Sequence, residues 1–379
     1  MSKITIIGGG IGGLTTAIAL RQAGLDVEVY ERAPELKEVG AGLSLWPNAI
    51  KVLRQLGLGE ALAAISMVAP LVATRNPRGD ILAQLPSATI EQRFGAAVRI
   101  VHRAELLAML TEALADTPLH LGHECTGFDQ DGDGVTARFA GGQTARSDAL
   151  IGADGIHSAV RAQMFGRTPP RYSGYTAWRA ITPFPTANLR AGESWGCGSR
   201  FGLLPVDHER VYWFATKNAP ADQPPQPGGH KPELLTLFQN WFDPLPAVIE
   251  ATPEEAILRN DIIDRLPLDA WSQGRVTLLG DAAHPMTPNM GQGACQAIED
   301  ALVLARCLKA TPDIPFALQL YQTKRLKRAN KVVTTSYFIG TVGQLKNPLA
   351  CRLRDFLAKT MPAERQLKQV DWVVGYEIE

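Results

Sequence analysis

Three short stretches carry the residue types that could do chemistry, and they come in one order along 379 residues. Ile6-Ile7-Gly8-Gly9-Gly10-Ile11-Gly12-Gly13 is the first, Leu150-Ile151-Gly152-Ala153-Asp154-Gly155 the second, and Leu278-Leu279-Gly280-Asp281 the third. Each is an apolar strand-like run that ends in Gly or Gly with Asp. Such a run brings backbone N–H groups and a carboxylate up to a phosphorylated ligand. In Gly8-x-Gly10-x-x-Gly13, Gly8 permits a tight turn, Gly10 leaves room for a pyrophosphate, and Gly13 lets helix and strand pack closely. Glu31 closes the next strand, 18 residues past Gly13, where a carboxylate can accept from ribose hydroxyls. Asp281 at a strand end can hold a ribityl hydroxyl, and Gly291-Gln292-Gly293 opens a helix whose N-terminus can face the electron-rich edge of a flavin. The first turn alone means a dinucleotide; the three together point to FAD held across one sheet.

Positioning these residues needs a βαβ unit. Residues 3–8 read as a buried parallel strand, Leu14 to Ala23 as a helix ended by Gly24, and Val27 to Glu31 as the next strand. Residues 48–65 read as one amphipathic helix and Arg103 to Leu114 as another. From 170 to 217 the pattern turns to alternating, aromatic-rich strands, which predicts an antiparallel sheet. A proline-rich loop spans Ala219 to Pro232, the α/β pattern resumes near 274, and a helix runs from Gly293 to Leu308. The last forty residues read as helical, with Leu349 to Leu357 amphipathic. The expected fold class is α/β. A Rossmann-like FAD-binding domain (1–70, 96–165 and 270–335) carries an inserted antiparallel β-sheet substrate domain (71–95 and 166–269) and a C-terminal helical segment (336–379).

Composition excludes several classes. Lys and Arg total 38, as do Asp and Glu, so no basic surplus draws the chain to nucleic acid or to an anionic bilayer. The five Cys at 125, 197, 295, 307 and 351 show no metal-like spacing, so no metal site is expected, and reduced thiols in a cytoplasm fit them. No signal peptide and no apolar run of about 18 residues is present, so no membrane anchor is expected.

In this order the three motifs resemble the single-component FAD-dependent aromatic hydroxylases, the para-hydroxybenzoate hydroxylase family. The sequence is similar in particular to bacterial urate hydroxylases, with salicylate-hydroxylase-like and zeaxanthin-epoxidase-like monooxygenases nearby. The resemblance covers nearly the whole chain. It implies cofactor contacts at Gly8, Gly10, Ile11, Gly12, Gly13, Glu31, Arg32, Gly42, Ser44, Arg103, Asp154, Gly155, Asp281, Pro288, Gly291, Gln292, Gly293 and Ala294. Arg103 matches the family's arginine at a helix start, and Gly42 to Asn48 its loop beside the flavin ring. Arg200 and Tyr212 fall where the urate enzymes bind and polarise the purine, and Pro285 where the family places a proline over the flavin. These three are the catalytic candidates. Trp46, Phe201, Tyr212, Trp213 and Pro285 are the candidates for keeping water out of the site. His284, tempting as a base, reads equally as a structural residue, and Ser158 and Arg161 as helix caps.

The absence of a second Gly-x-Gly-x-x-Gly means no separate nicotinamide domain. The resemblance implies that NAD(P)H binds transiently over the same domain and that O2 then reacts with reduced flavin to a C4a-hydroperoxide, which hydroxylates a small aromatic or heteroaromatic ring. Other readings stay open: urate specifically, an epoxidase or hydroxylase of a larger polycyclic or isoprenoid substrate, a non-oxygenating flavin reductase, and a non-enzymatic FAD binder. The sequence is equally compatible with a monomer and a homodimer.

Overall fold

The computed structural model describes residues 2–36, 42–69, 71–187, 189–224 and 227–378. The Lys3–Ile7 strand sits centrally in a six-stranded sheet. Its parallel neighbours are Asp26–Tyr30 on one side and Ala149–Gly152, followed by Val276–Leu278, on the other. All three glycine turns therefore leave adjacent strands of one sheet at the same edge, where ligands bind in such folds. The strand cores are mainly apolar, as burial on both faces favours (Ile4, Ile6, Leu150, Ile151, Val276 and Leu278 are fully buried, with Thr5 and Thr277 among them). Helices Ile11–Gln22 and Gly293–Ala310 pack side by side on this sheet.

A seven-stranded sheet takes its strands from two separated parts of the chain, Leu71–Arg75 with Ile81–Pro86 and five strands between Arg171 and Asp264. Its period-2 alternation sorts side chains to two faces. Trp178, Phe201, Leu203, Trp213 and Ala215 pack on the far face with Phe238 and Val248. Ala177, Arg179, Arg200, Leu204, Tyr212, Phe214 and Thr216 face the cofactor-side sheet.

One expectation is corrected. Residues 48–65 form two helices, Pro47–Gln55 and Gly59–Ala64. Gly57 takes the left-handed conformation (φ 77°), and the Gly57 and Leu58 N–H groups donate back to Arg54 and Leu53, which ends the first helix. The C-terminal part is helical, as its periodicity implied, with helices Ile314–Gly343, Pro348–Thr360 and Ala363–Val374. In the expected loop from 219 to 232, residues 225 and 226 lie outside the described residues, and a helix begins at Lys231. No described helix is long and apolar enough to cross a membrane, and no metal-holding cluster occurs among the described residues.

Candidate active site

The site grows from the first turn. Gly13 must be glycine because a Cβ there would stand 1.9 Å from the Gly8 carbonyl oxygen. Gly10 is different: its Cβ would meet nothing within 4 Å, so the space beside it is open. The Gly9 N–H donates to Glu31 (2.7 Å) and the Ala33 N–H to its other oxygen (2.8 Å), which ties the turn to the second strand. Glu31 thus already holds backbone, while Arg32 is exposed at the strand end.

The second and third turns are bolted together. Asp154 accepts from the Ala159 and Val160 N–H groups, Ser158 caps the same helix, and Arg161 donates to the carbonyls of Ala282 and Ala283 (3.1 Å each). Asp154 Oδ1 is buried with no hydrogen-bond partner among the described residues. Asp281 is exposed to the cleft, and the protein massed around it pushes its carboxyl above the ordinary range against the pull of His284 and Arg103. The Gly280 N–H donates to Asp300 (3.1 Å). His284 is structural: its Nε2 lies 2.6 Å from Asp300, beside the Trp271 ring.

Gln292 stands at the N-terminus of the Gly293–Ala310 helix and is buried. Its Oε1 accepts from Asn48 (3.0 Å) and Gln296 (3.0 Å), while Nε2 has no partner among the described residues. Asn48 also donates to Glu299 (2.6 Å), and Glu299 with Asp300 pairs with the fully buried Arg325, with Arg328 adding to Glu299. Burial alone would raise these two carboxyls, but the guanidiniums, together with His284 at Asp300, hold both below the usual range.

A single cleft of about 410 Å³ joins these groups to the antiparallel sheet. One wall holds Gly10, Ile11, Gly12, Gly42, Ser44, Arg103, Gly155, Asp281 and Pro288 through Ala294 apart from Met290. The other holds Arg179, Arg200, Tyr212 and Phe214. Gly42 meets the sheet directly, since a Cβ would stand 2.5 Å from the Tyr212 ring. Arg200 is 2% exposed; Nη1 donates to Glu193 (3.0 Å), Nη2 to Asn289 (2.7 Å), and Nε has no partner among the described residues. Tyr175 donates to the same Asn289 oxygen (3.1 Å), and Asn289 is held in turn by Thr287 and Ser336. Surrounding protein raises the Tyr212 phenol, so it stays a neutral donor at neutral pH.

Not every sequence candidate reaches the cleft. Gly8, Gly13, Glu31, Arg32 and Asp154 do not line it. Pro285 is buried and does not line it; Met286 to Asn289 do. Phe201 and Trp213 belong to the far-face core, stacked at 5.5 Å, and Trp46 lies behind Gly291. Sequence reading missed Arg179, Glu193, Phe214 and Asn289. Alternation with Trp178 and Trp213 was the signal for Arg179 and Phe214, once the core face of the sheet is known.

The FAD binding domain family matches residues 1–336. Aurachin C monooxygenase/isomerase of Stigmatella aurantiaca is 46% identical over 364 residues, 96% of this chain and 95% of that protein. The FAD-dependent urate hydroxylase of Klebsiella pneumoniae subsp. pneumoniae is 37% identical over 337 residues, 87% of this chain and 88% of that protein. The crystal structure of Klebsiella pneumoniae HpxO complexed with FAD and uric acid superposes with a TM-score of 0.91 at 33% identity, covering 97% of this chain and 95% of that one.

Proposed function

This chain belongs to the FAD binding domain family and is an FAD-dependent monooxygenase with the aromatic hydroxylase fold, and we propose that it uses NAD(P)H and O2 to hydroxylate a small aromatic or heteroaromatic ring held between Arg200 and Tyr212. One observation carries the reading: a single cleft is lined by glycine turns and Asp281 on one side and by two guanidiniums and a neutral phenol on the other. The residues fit FAD. The space beside Gly10 is open to a pyrophosphate, and the helix N-terminus at Gly293 lies behind the unpaired Gln292 amide. Asp281 is set to hold a ribityl hydroxyl and Glu31 the adenosine ribose. Arg32, Gly42, Ser44, Arg103, Gly155 and Pro288 complete the proposed contacts.

Bound FAD supplies hydride acceptance from NAD(P)H and activation of O2. The rest is done by side chains. Arg200, fixed by Glu193 and Asn289, offers Nε–H to an oxygen or nitrogen of the ring. Arg179 adds a second positive charge, so the pocket favours the electron-rich, deprotonated form of a phenol-like substrate. Tyr212 donates without losing its proton. Leu204, Phe214, Ile262 and Met286 keep the reacting space apolar, which limits water access. In this reading 71–95 and 166–269 form the substrate side and 1–70, 96–165 and 270–335 the cofactor side.

A purine such as urate is the second reading, favoured by the Arg200–Tyr212 pair. The test is a panel of phenols, purines and related rings, scored for compounds that accelerate NAD(P)H oxidation and return product labelled from 18O2. Arg200→Ala should raise KM for the true substrate about 10- to 100-fold, as loss of a charged hydrogen bond implies, and increase H2O2 release. Unchanged kinetics would remove Arg200 from the site.

A further inference from the structure

The Pro348–Thr360 helix presents the wrong face to water. Leu349, Leu353, Phe356 and Leu357 are 72, 59, 63 and 54% exposed. At 3.6 residues per turn these positions form one stripe about 100° wide. The opposite side is anchored: Cys351 is buried, and Arg354 donates to the Gly196 (3.1 Å) and Gly343 (3.3 Å) carbonyls over the Trp195 ring. Lys346, Arg352 and Lys359 are exposed beside the stripe, while the helix's one acid, Asp355, is paired with Arg354. The chain is neutral overall, yet residues 346–359 hold Lys346, Arg352, Arg354 and Lys359 against Asp355 alone.

We propose that this helix is a docking face for an anionic phospholipid surface. An apolar stripe with a cationic flank fits the boundary between acyl chains and negative headgroups. A second copy of the chain fits poorly. The stripe, about 20 Å by about 10 Å, covers on the order of 200 Å² against about 800 Å² per partner in a stable interface. The attachment is peripheral, so it is compatible with the absence of a spanning helix. It also puts the bilayer beside the substrate wall: Trp195 pairs in register with Arg200, and a Cβ on Gly343 would lie 3.0 Å from the Arg200 side chain.

The test is co-sedimentation of the flavin-loaded enzyme with phosphatidylcholine vesicles, with and without phosphatidylglycerol. The enzyme should sediment with the anionic vesicles, weakly with phosphatidylcholine alone, and less as salt rises. L353E/F356E should lose at least about tenfold in binding, and R352E/K359E roughly fivefold per side chain, with the anionic preference abolished. Retained flavin absorbance reports folding; if L353E/F356E fails to hold flavin, the milder L349S/L357S decides. No sedimentation with anionic vesicles, or equal binding by the variants, overturns the proposal. So does a wild-type dimer that the same substitutions dissociate. The readout is binding, so it is separate from which ring the cleft accepts.

Discussion

Glu299 is fully buried and Asp281 is exposed in the cleft, and the fold treats the two carboxylates oppositely. Arg325 and Arg328 stabilise Glu299 as an anion, whereas Asp281 is left costly to ionise. The signs of their pH dependence follow. A depressed carboxyl contributes stability that is present above the ordinary carboxylate range and lost as pH falls through its folded pKa. A raised one contributes below the ordinary range, and that contribution is lost as pH rises through its folded pKa. Asp281→Asn should therefore raise the melting temperature of the FAD-free protein at neutral pH while weakening FAD about 10- to 100-fold, the loss of one charged hydrogen bond. Thermal melts of the stripped protein and FAD titration by fluorescence quenching read the two effects. A variant that melts lower at pH 7 would contradict this account of Asp281.

At the scale of elements, the first turn separates folding from binding. Gly10 has φ −78° and open space at its Cβ, so Gly10→Val should fold with a stability change within about 1 kcal/mol yet purify colourless. Gly13→Ala drives a methyl into the Gly8 carbonyl and should yield little soluble protein. Flavin absorbance and soluble yield distinguish the two. Helices Gly293–Ala310 and Ile314–Gly343 meet through the buried Glu299, Asp300 and Arg325. Removing the cation leaves two buried anions, so Arg325→Met should cost about 3–5 kcal/mol in urea unfolding. A loss below about 1 kcal/mol would mean that water or movement compensates.

For the whole molecule, the Ala363–Val374 helix supports the site although it lines none of the cleft. Leu367, Val373 and Val374 pack in one cluster with Val332, against Met286 in the cleft wall and Trp46 and Met290 behind it, and Arg328 donates to the Val373 carbonyl (2.6 Å). Deleting residues 361–379 exposes three aliphatic side chains, a loss on the order of 5 kcal/mol. The truncated protein should melt lower and shed flavin on gel filtration; full-length behaviour in both assays would refute the support role.

The three glycine turns, the βαβ unit and the alternation of the middle strands were legible in the chain because each is written by local rules: positive φ, close approach, and periods of 3.6 and 2. Those rules placed Gly8, Gly10, Gly13 and Asp281 correctly in the turns at one sheet edge. Alternation also showed that Arg200 and Phe201 point to opposite faces, but not which face is covered, and so it could not reject Phe201 and Trp213 as cleft residues. Met286 to Asn289 in place of Pro285, Asn289 as the clamp on Arg200, and the outward apolar stripe of the Pro348–Thr360 helix were decided by tertiary structure alone. Each depends on which surfaces meet across gaps of about 90 to 250 residues, and no local spacing encodes that.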